Sequence, residues 1–315
     1  MEKLMEEGKP AHRIIDGLAV ARDIGARTAA DVANLKKKGI DPTLAVVYFC
    51  DSPPAESYRK QIHQHASTVG VAVREVVLPT QCDHEATLHA LTALNHDDSV
   101  HGVLVQTPFS AEQKDAVMDR LSVHKDAEAV TPKRLAELFV GHPVVSPCTP
   151  RACMALIQHE IPDLKGVQVA IVNGSPVIGR PLAMLLIDAG ATPTICTHYT
   201  RNLARETSQA DVLVAAAGKP GLIGPQHVHE DMIVIDAAIT RLPSGHIVGD
   251  VDTEAVRPIV AAISPVPGGV GPVTTATLLS NVVTLAHLRH GHTRAHPLTR
   301  IAPEGNVVTA VGQHA

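Results

Sequence analysis

The stretch best equipped for chemistry is Val169 to Pro181, VAIVNGSPVIGRP. Val169 to Val172 form an apolar run that reads as a buried strand. Asn173-Gly174-Ser175-Pro176 break it, and Gly179 opens a helically spaced run, PLAMLLIDAG. A strand, a tight turn and a helix start offer backbone N–H groups to a dinucleotide pyrophosphate. The glycine pattern is imperfect, because Asn173 stands where such loops usually carry Gly. By pattern alone a plain strand-to-helix connection explains the stretch about as well. Asn tolerates left-handed backbone better than other non-glycines, so the turn is expected to survive, with the side chain crowding a pyrophosphate. After the next strand comes Thr197-His198-Tyr199-Thr200-Arg201. It holds no Asp or Glu for the ribose diol that NAD-specific folds bind.

Other chemistries fit less well. The 19 histidines invite a metal, but those of HEATLH (84–89) are five apart, and no ligand set emerges. No metal is expected. Cys148 has no adjacent His to make a nucleophilic pair, so a packed thiol is the better reading.

Elements must position these groups. Gly17 to Lys38 has the spacing of an amphipathic helix closed by three lysines and Gly39. Strands are expected at 44–50, 71–78 and 100–105, with helices at 54–69, 85–94 and 112–121 between them. A proline-rich joint from Pro132 to Pro150 follows, then a helix over 151–159. Alternation restarts with strands at 168–172, 193–197, 211–215, 232–236 and 260–263, and a last helix runs from about Thr275 to Leu288. Such alternation implies parallel sheets with helices on their faces, an α/β fold. Residues 1–12 are expected to be a loose leader and 293–315 a flexible tail.

Composition narrows the class. The 315 residues have room for about two domains. Net charge is −5 with no basic block, and there are three Tyr, three Phe and no Trp, which argues against a nucleic-acid partner. No apolar run approaches the roughly 20 residues needed to span a bilayer. The N-terminus lacks a signal-peptide core, and five scattered cysteines without a C-x-x-C pair suit a reducing cytoplasm.

Several segments together resemble the bifunctional methylenetetrahydrofolate dehydrogenase/cyclohydrolases. They are RIIDG (13–17), SY (57–58), HGVLVQTP (101–108), KDAEAVTP (125–132), SPCTPRA (146–152), GRP (179–181), AGKPGLI (217–223), VIDAAITRL (234–242), VGDV (248–251) and PVPGGVGPVTTATL (265–278). They occur in family order at family spacing. The resemblance implies two α/β domains with a cleft between them. Residues 1–150 and 273–292 would hold the folate, and 151–272 would be a Rossmann-type NAD(P) unit. It also implies a homodimer that oxidises 5,10-methylenetetrahydrofolate with NADP and hydrolyses the methenyl product.

Residue by residue, the family places a Tyr and, four residues on, a Lys on one helix face. Tyr58 stands here, but the fourth residue on is Ile62. Lys60 lies about 200° around the helix from Tyr58, and His63 and His65 lie off the Ile62 direction by about 100° and 60°. Gln106 matches a residue near that lysine, and this functional reading is preferred to a strand-end polar group capping a loop. Glu128 stands for the family's aspartate, with Ala129 in place of Gly, while Lys125 and Asp126 are kept, for local structure. Pro267, Gly268, Gly269 and Thr274 complete the expected folate side. The cofactor side would comprise Asn173, Gly174, Ser175, Val177, Gly179, Arg180, His198, Arg201, Ala217, Gly218, Asp236 and Thr240. Ala238 and Thr240 replace a family Gly and Asn. With His198 and Arg201 available for a 2′-phosphate, NADP is favoured and NAD is the lesser alternative.

The expected function is therefore a dehydrogenase of this family with cyclohydrolase activity lost or reduced. Two other readings stand beside it: a repurposed member handing a folate-bound one-carbon unit to another acceptor, and a non-catalytic folate-binding paralogue.

Overall fold

The computed structural model describes residues 13–49, 53–78, 84–106 and 111–291; the expected leader, tail and residues 107–110 lie outside these. A first sheet holds β2 (Thr43–Phe49), β3 (Ala72–Leu78) and β4 (Gly102–Val105) in the order β3-β2-β4, all parallel. Between them run α2 (Pro53–Val69) and α3 (His84–His96), and α4 (Ala111–Arg120) follows. Leu44 to Val47 on the central strand are wholly buried, as a parallel sheet covered on both faces requires.

The second sheet has six parallel strands in the order β1-β11-β8-β7-β5-β6. They are β1 (Arg13–Ile14), β5 (Gln168–Val172), β6 (Thr192–Cys196), β7 (Val212–Ala215), β8 (Ile233–Asp236) and β11 (Ala262–Ile263). The chain leaves β5 towards β6 on one side and crosses back to β7 on the other. That reversal makes the carboxyl end of β5 the topological switch point, where open α/β sheets bind ligands. The turn Asn173–Ile178 and α7 (Gly179–Asp188) sit there.

Two helices tie the sheets together. Val20, Ala21 and Ile24 of α1 (Gly17–Lys36) join the core under the larger sheet, and Val32 and Leu35 join the core under the smaller one. On α10 (Val270–Arg289), Val270, Val273 and Ala276 enter the first of these cores, and Leu278, Leu279 and Val282 the second. A helix buried on nearly every side has no polar stripe to show. Both helices begin at the cleft. A Cβ on Gly17 would lie 2.0 Å from the carbonyl oxygen of Gly269, so only glycine lets α1 start against the 265–269 loop.

The structure departs from the expected elements in several places. Arg13–Ile14, placed with the first unit on the sequence, instead forms the edge strand of the second sheet, register-paired with Ala262–Ile263. The guanidinium of Arg13 grips both carboxylate oxygens of Glu160, a buried residue of α6 (Cys148–Glu160). The proline-rich joint contains α5 (Pro132–Phe139), because Pro132 occupies the first helical position, where its missing N–H costs nothing. Thr240–Arg241 and Ile247–Val248 form a short antiparallel hairpin, β9 and β10. Two smaller helices, α8 (Leu203–Thr207) and α9 (Thr253–Val256), also appear.

Candidate active site

A cleft of about 1090 Å³ opens between the two sheets. Tyr58, Gln61 and His65 of α2, Gln106 at the end of β4, Glu128 and Cys148 line one wall. Val177, Ile178, Asp236, Ile239 and Arg241 line the other. Pro267, Gly268, Gly269 and Thr274 close the end from which α10 starts.

The phase of α2 decides which side chains reach the cleft. Ile62 is fully buried, in the core that contains Val46 and Leu104. His65 is seven residues from Tyr58, within about 20° of the same line, and lines the cleft. The angle from Ile62 puts it off the working face; the angle from Tyr58 puts it on that face. Its Nδ1 is buried without a partner among the described residues, and burial lowers its pKa, so the ring is neutral at pH 7. His63 instead meets Glu75 at 2.6 Å. Burial, with Glu128 and Cys148 adding to it, pushes the Tyr58 hydroxyl far above its ordinary value of 10. That hydroxyl stays protonated.

Gln106 has an unusual environment. Its backbone N–H bonds the Val47 carbonyl at 2.8 Å, yet both atoms of its side-chain amide are buried with no hydrogen-bond partner among the described residues. A strand-end residue kept only to cap a loop would have used that amide. An orphaned buried amide costs about 1–3 kcal/mol per polar group, so the cleft holds two hydrogen-bonding atoms waiting for a polar ligand.

The neighbouring KDAEA segment divides its work. Lys125 is buried and its ammonium donates to the carbonyls of Leu94 and Asp97. Asp126 accepts from the Thr131 N–H at 2.7 Å. Glu128 is the half-buried member that reaches the cleft. Ala129 has φ 57, left-handed backbone, the conformation that suits a glycine. Cys148 is an inert thiol: burial raises its pKa, and Asn281 of α10 donates to its sulfur at 3.6 Å and to the carbonyls of Ala127 and Ser146.

On the opposite wall the turn after β5 is tightly made. A Cβ on Gly179 would sit 1.8 Å from the Asn173 carbonyl oxygen, and one on Gly174 would sit 2.8 Å from the Thr197 methyl. Those approaches let helix and strand pack as a nucleotide fold requires. Asn173 does not have the left-handed backbone anticipated for it, since Ala129 alone among the described non-glycines has positive φ. Its side chain holds it instead. Oδ1 accepts from the N–H groups of Ser175 (2.8 Å) and Gly179 (3.1 Å), and Nδ2 donates to the Ala216 carbonyl (2.5 Å). Ser175 Oγ accepts from the Ile178 N–H, and Arg180 Nε donates to the Gly174 carbonyl.

The remaining candidates separate into near and far. His198 and Arg201 are exposed beyond β6, with the His198 ring 3.7 Å from that of Tyr199. Ala217 and Gly218 are exposed beyond β7. Their N–H groups, with that of Lys219, are held by the buried carboxylate of Asp250. Asp250 lies within VGDV, where nothing local in the sequence marks a carboxylate that reaches about 30 residues back. Asp236 accepts three N–H groups, from Ala238, Asp250 and Val251, and burial raises its pKa to about 6. It pins backbone while lining the cleft. Thr240 lies in the hairpin and does not line the cleft, whereas Arg241 does.

Residues 15–128 match the model of the tetrahydrofolate dehydrogenase/cyclohydrolase catalytic domain, and residues 147–290 match the NAD(P)-binding domain of the same proteins. The chain belongs to the tetrahydrofolate dehydrogenase/cyclohydrolase family. The bifunctional protein FolD of Bordetella bronchiseptica is 40% identical over 276 residues, which cover 87% of this chain and 97% of that protein. The crystal structure of the bifunctional FolD enzyme of Campylobacter jejuni superposes with a TM-score of 0.83 at 38% identity, covering 88% and 99% of the two chains. The FolD enzyme of Trypanosoma brucei, solved with NADP cofactor and inhibitor, gives 0.84 at 30% identity, covering 90% and 99%.

The two-domain α/β architecture of this family is thus present, with the larger sheet in the NAD(P)-binding domain. The switch point beside β5 and the close approaches of Gly174 and Gly179 fit a nicotinamide dinucleotide. No described helix is long and apolar enough to cross a membrane, and no described cluster of His, Cys, Asp and Glu is suited to a metal.

Proposed function

We propose that this protein oxidises 5,10-methylenetetrahydrofolate to the methenyl form with NADP, and that its cyclohydrolase activity is lost or greatly reduced. The observation that carries the proposal is Ile62. It stands four residues after Tyr58, where the resemblance puts a lysine, and it is sealed in the core. No lysine lines the cleft among the described residues. Lys125 is committed to two carbonyls, and Lys60 lies on the exposed side of α2.

The two steps depend unequally on that group. When bound at the switch point, the nicotinamide would accept a hydride from the methylene carbon. The protein's part in this step is orientation, for which the Gln106 amide, Glu128 and the loop 265–269 are placed. Hydrolysis of the methenyl group requires a water to lose a proton, and general acid–base assistance is worth about 10²–10⁴-fold. Tyr58, held protonated by burial, does not take that proton, and Val177 and Ile239 on the facing wall offer no group that could. NADP over NAD rests on the absence of a carboxylate in the segment 197–201 and on exposed His198 and Arg201 nearby.

A homodimer belongs to the same proposal. β3 is an edge of its sheet, and Val77 on it is 48% exposed, open to a second copy.

Supplying purified protein with methenyltetrahydrofolate alone tests the loss of hydrolysis. The methenyl absorbance should decay no faster than in buffer; rapid enzymatic decay overturns the proposal. Light scattering on the same sample reads the mass of the assembly.

A further inference from the structure

The turn before α7 has a feature that family membership does not explain. The start of a helix at a switch point binds phosphate because several backbone N–H groups there lack partners. Here those of Ser175, Ile178, Gly179, Arg180 and Leu182 have partners. The N–H groups of Ser175 and Gly179 converge on one atom, Asn173 Oδ1. The Ile178 N–H goes to Ser175 Oγ, the Arg180 N–H to the Ser175 carbonyl and the Leu182 N–H to the Ile178 carbonyl. Residue 181 is proline and has none. A side-chain oxygen receiving two convergent N–H groups occupies the position of an anion's oxygen in a backbone nest.

The orientation of the carboxamide is settled by its partners. Nδ2 faces the Ala216 carbonyl at the end of β7, so the oxygen must face the two donors. Relief by backbone movement is blocked. Gly179 already packs on the Asn173 carbonyl and Gly174 on Thr197, with no room for even a methyl group at either. The side chain, half-buried at the rim, is the part free to rotate away.

We propose that Asn173 is a built-in occupant of the pyrophosphate nest, so that a nicotinamide dinucleotide binds by displacing its carboxamide and Asn173 sets cofactor affinity. The proposal rests on the dehydrogenase reading above. A family member with this device takes its cofactor weakly and gives it up readily. The side-chain hydrogen bonds meanwhile keep the empty turn ordered.

Calorimetric titration of NADP and of NAD into folded wild type, Asn173→Gly and Asn173→Asp, without folate, decides the matter. Asn173→Gly should lower the unliganded Tm and bind NADP at least tenfold more tightly. Asn173→Asp keeps an oxygen for both donors, adds a charge that repels phosphate, and should bind at least tenfold more weakly. Should the glycine variant fail to fold, the aspartate arm decides alone. Equal, measurable affinity across the variants overturns the proposal while leaving the dehydrogenase reading intact. No measurable binding of either dinucleotide by any variant, with folate binding seen in a separate titration, overturns both.

Discussion

Returning an amine to position 62 is the most informative single change. Ile62→Lys removes a fully buried aliphatic side chain, a loss of about 2–4 kcal/mol from transfer and packing together. Four residues advance α2 by about 6 Å, close to the reach of a lysine arm, so the ammonium can lie towards Tyr58 with its stem along the core wall. Desolvation beside the cleft lowers the amine's pKa and makes it a better proton acceptor near neutral pH. For a chain of this size the stability loss corresponds to a Tm decrease of about 4–16 °C. Hydrolysis of supplied methenyltetrahydrofolate should rise by about 10²-fold, and further between pH 7 and 8 as the amine deprotonates. Ile62→Met, similar in volume and without an amine, should cost under about 1.5 kcal/mol and leave hydrolysis at the wild-type level. A folded Ile62→Lys protein that hydrolyses no faster than Ile62→Met refutes the role assigned to this position.

Gln106 predicts a trade between stability and binding. Gln106→Leu removes an orphaned amide, so Tm should rise or hold while folate affinity falls about tenfold; a variant that loses stability and keeps affinity contradicts the assignment. His101 is buried beside His290, accepts the Thr43 N–H on Nδ1, and has its pKa lowered to about 4 by burial, then by His290, Arg289 and Lys125, against Asp41. The folded value lies below the unfolded 6.5, so its contribution is complete above pH 6.5 and is lost as pH falls towards 4, by at most about 3 kcal/mol. Denaturant titrations across that range should show a smaller slope for His101→Gln than for wild type. Glu160→Gln should cost about 2 kcal/mol by breaking the paired grip on Arg13, and amide exchange should quicken along β1 and β11 first.

Much of the fold was legible because its signals are local and repeated. The apolar runs at 44–47 and 169–172, each followed by helical spacing, declare parallel βαβ units, and PVPGG marks the loop from which α10 starts. The misses share a different cause. Arg13–Ile14 is too short for any periodicity, and its pairing with Ala262–Ile263 is about 250 residues away in the chain. Pro132 opens the proline-rich joint on the sequence, although it stands where a helix begins. Asp250 acts at Ala217 to Lys219 through a contact that no spacing rule encodes. His65 was visible in principle: its angle to Tyr58, rather than to Ile62, puts it in the cleft. Asn173 showed as a departure from a glycine pattern, but the partners of its carboxamide depend on where β7 ends beside β5.

The central claim is that dehydrogenation proceeds in this cleft without hydrolysis. Purified protein given 5,10-methylenetetrahydrofolate and NADP, quenched at intervals and resolved by chromatography, measures it directly. The account predicts methenyltetrahydrofolate and reduced cofactor forming in equal amounts, with 10-formyltetrahydrofolate at the uncatalysed level. Reduced cofactor matched by 10-formyltetrahydrofolate, with no methenyl product accumulating, would contradict it.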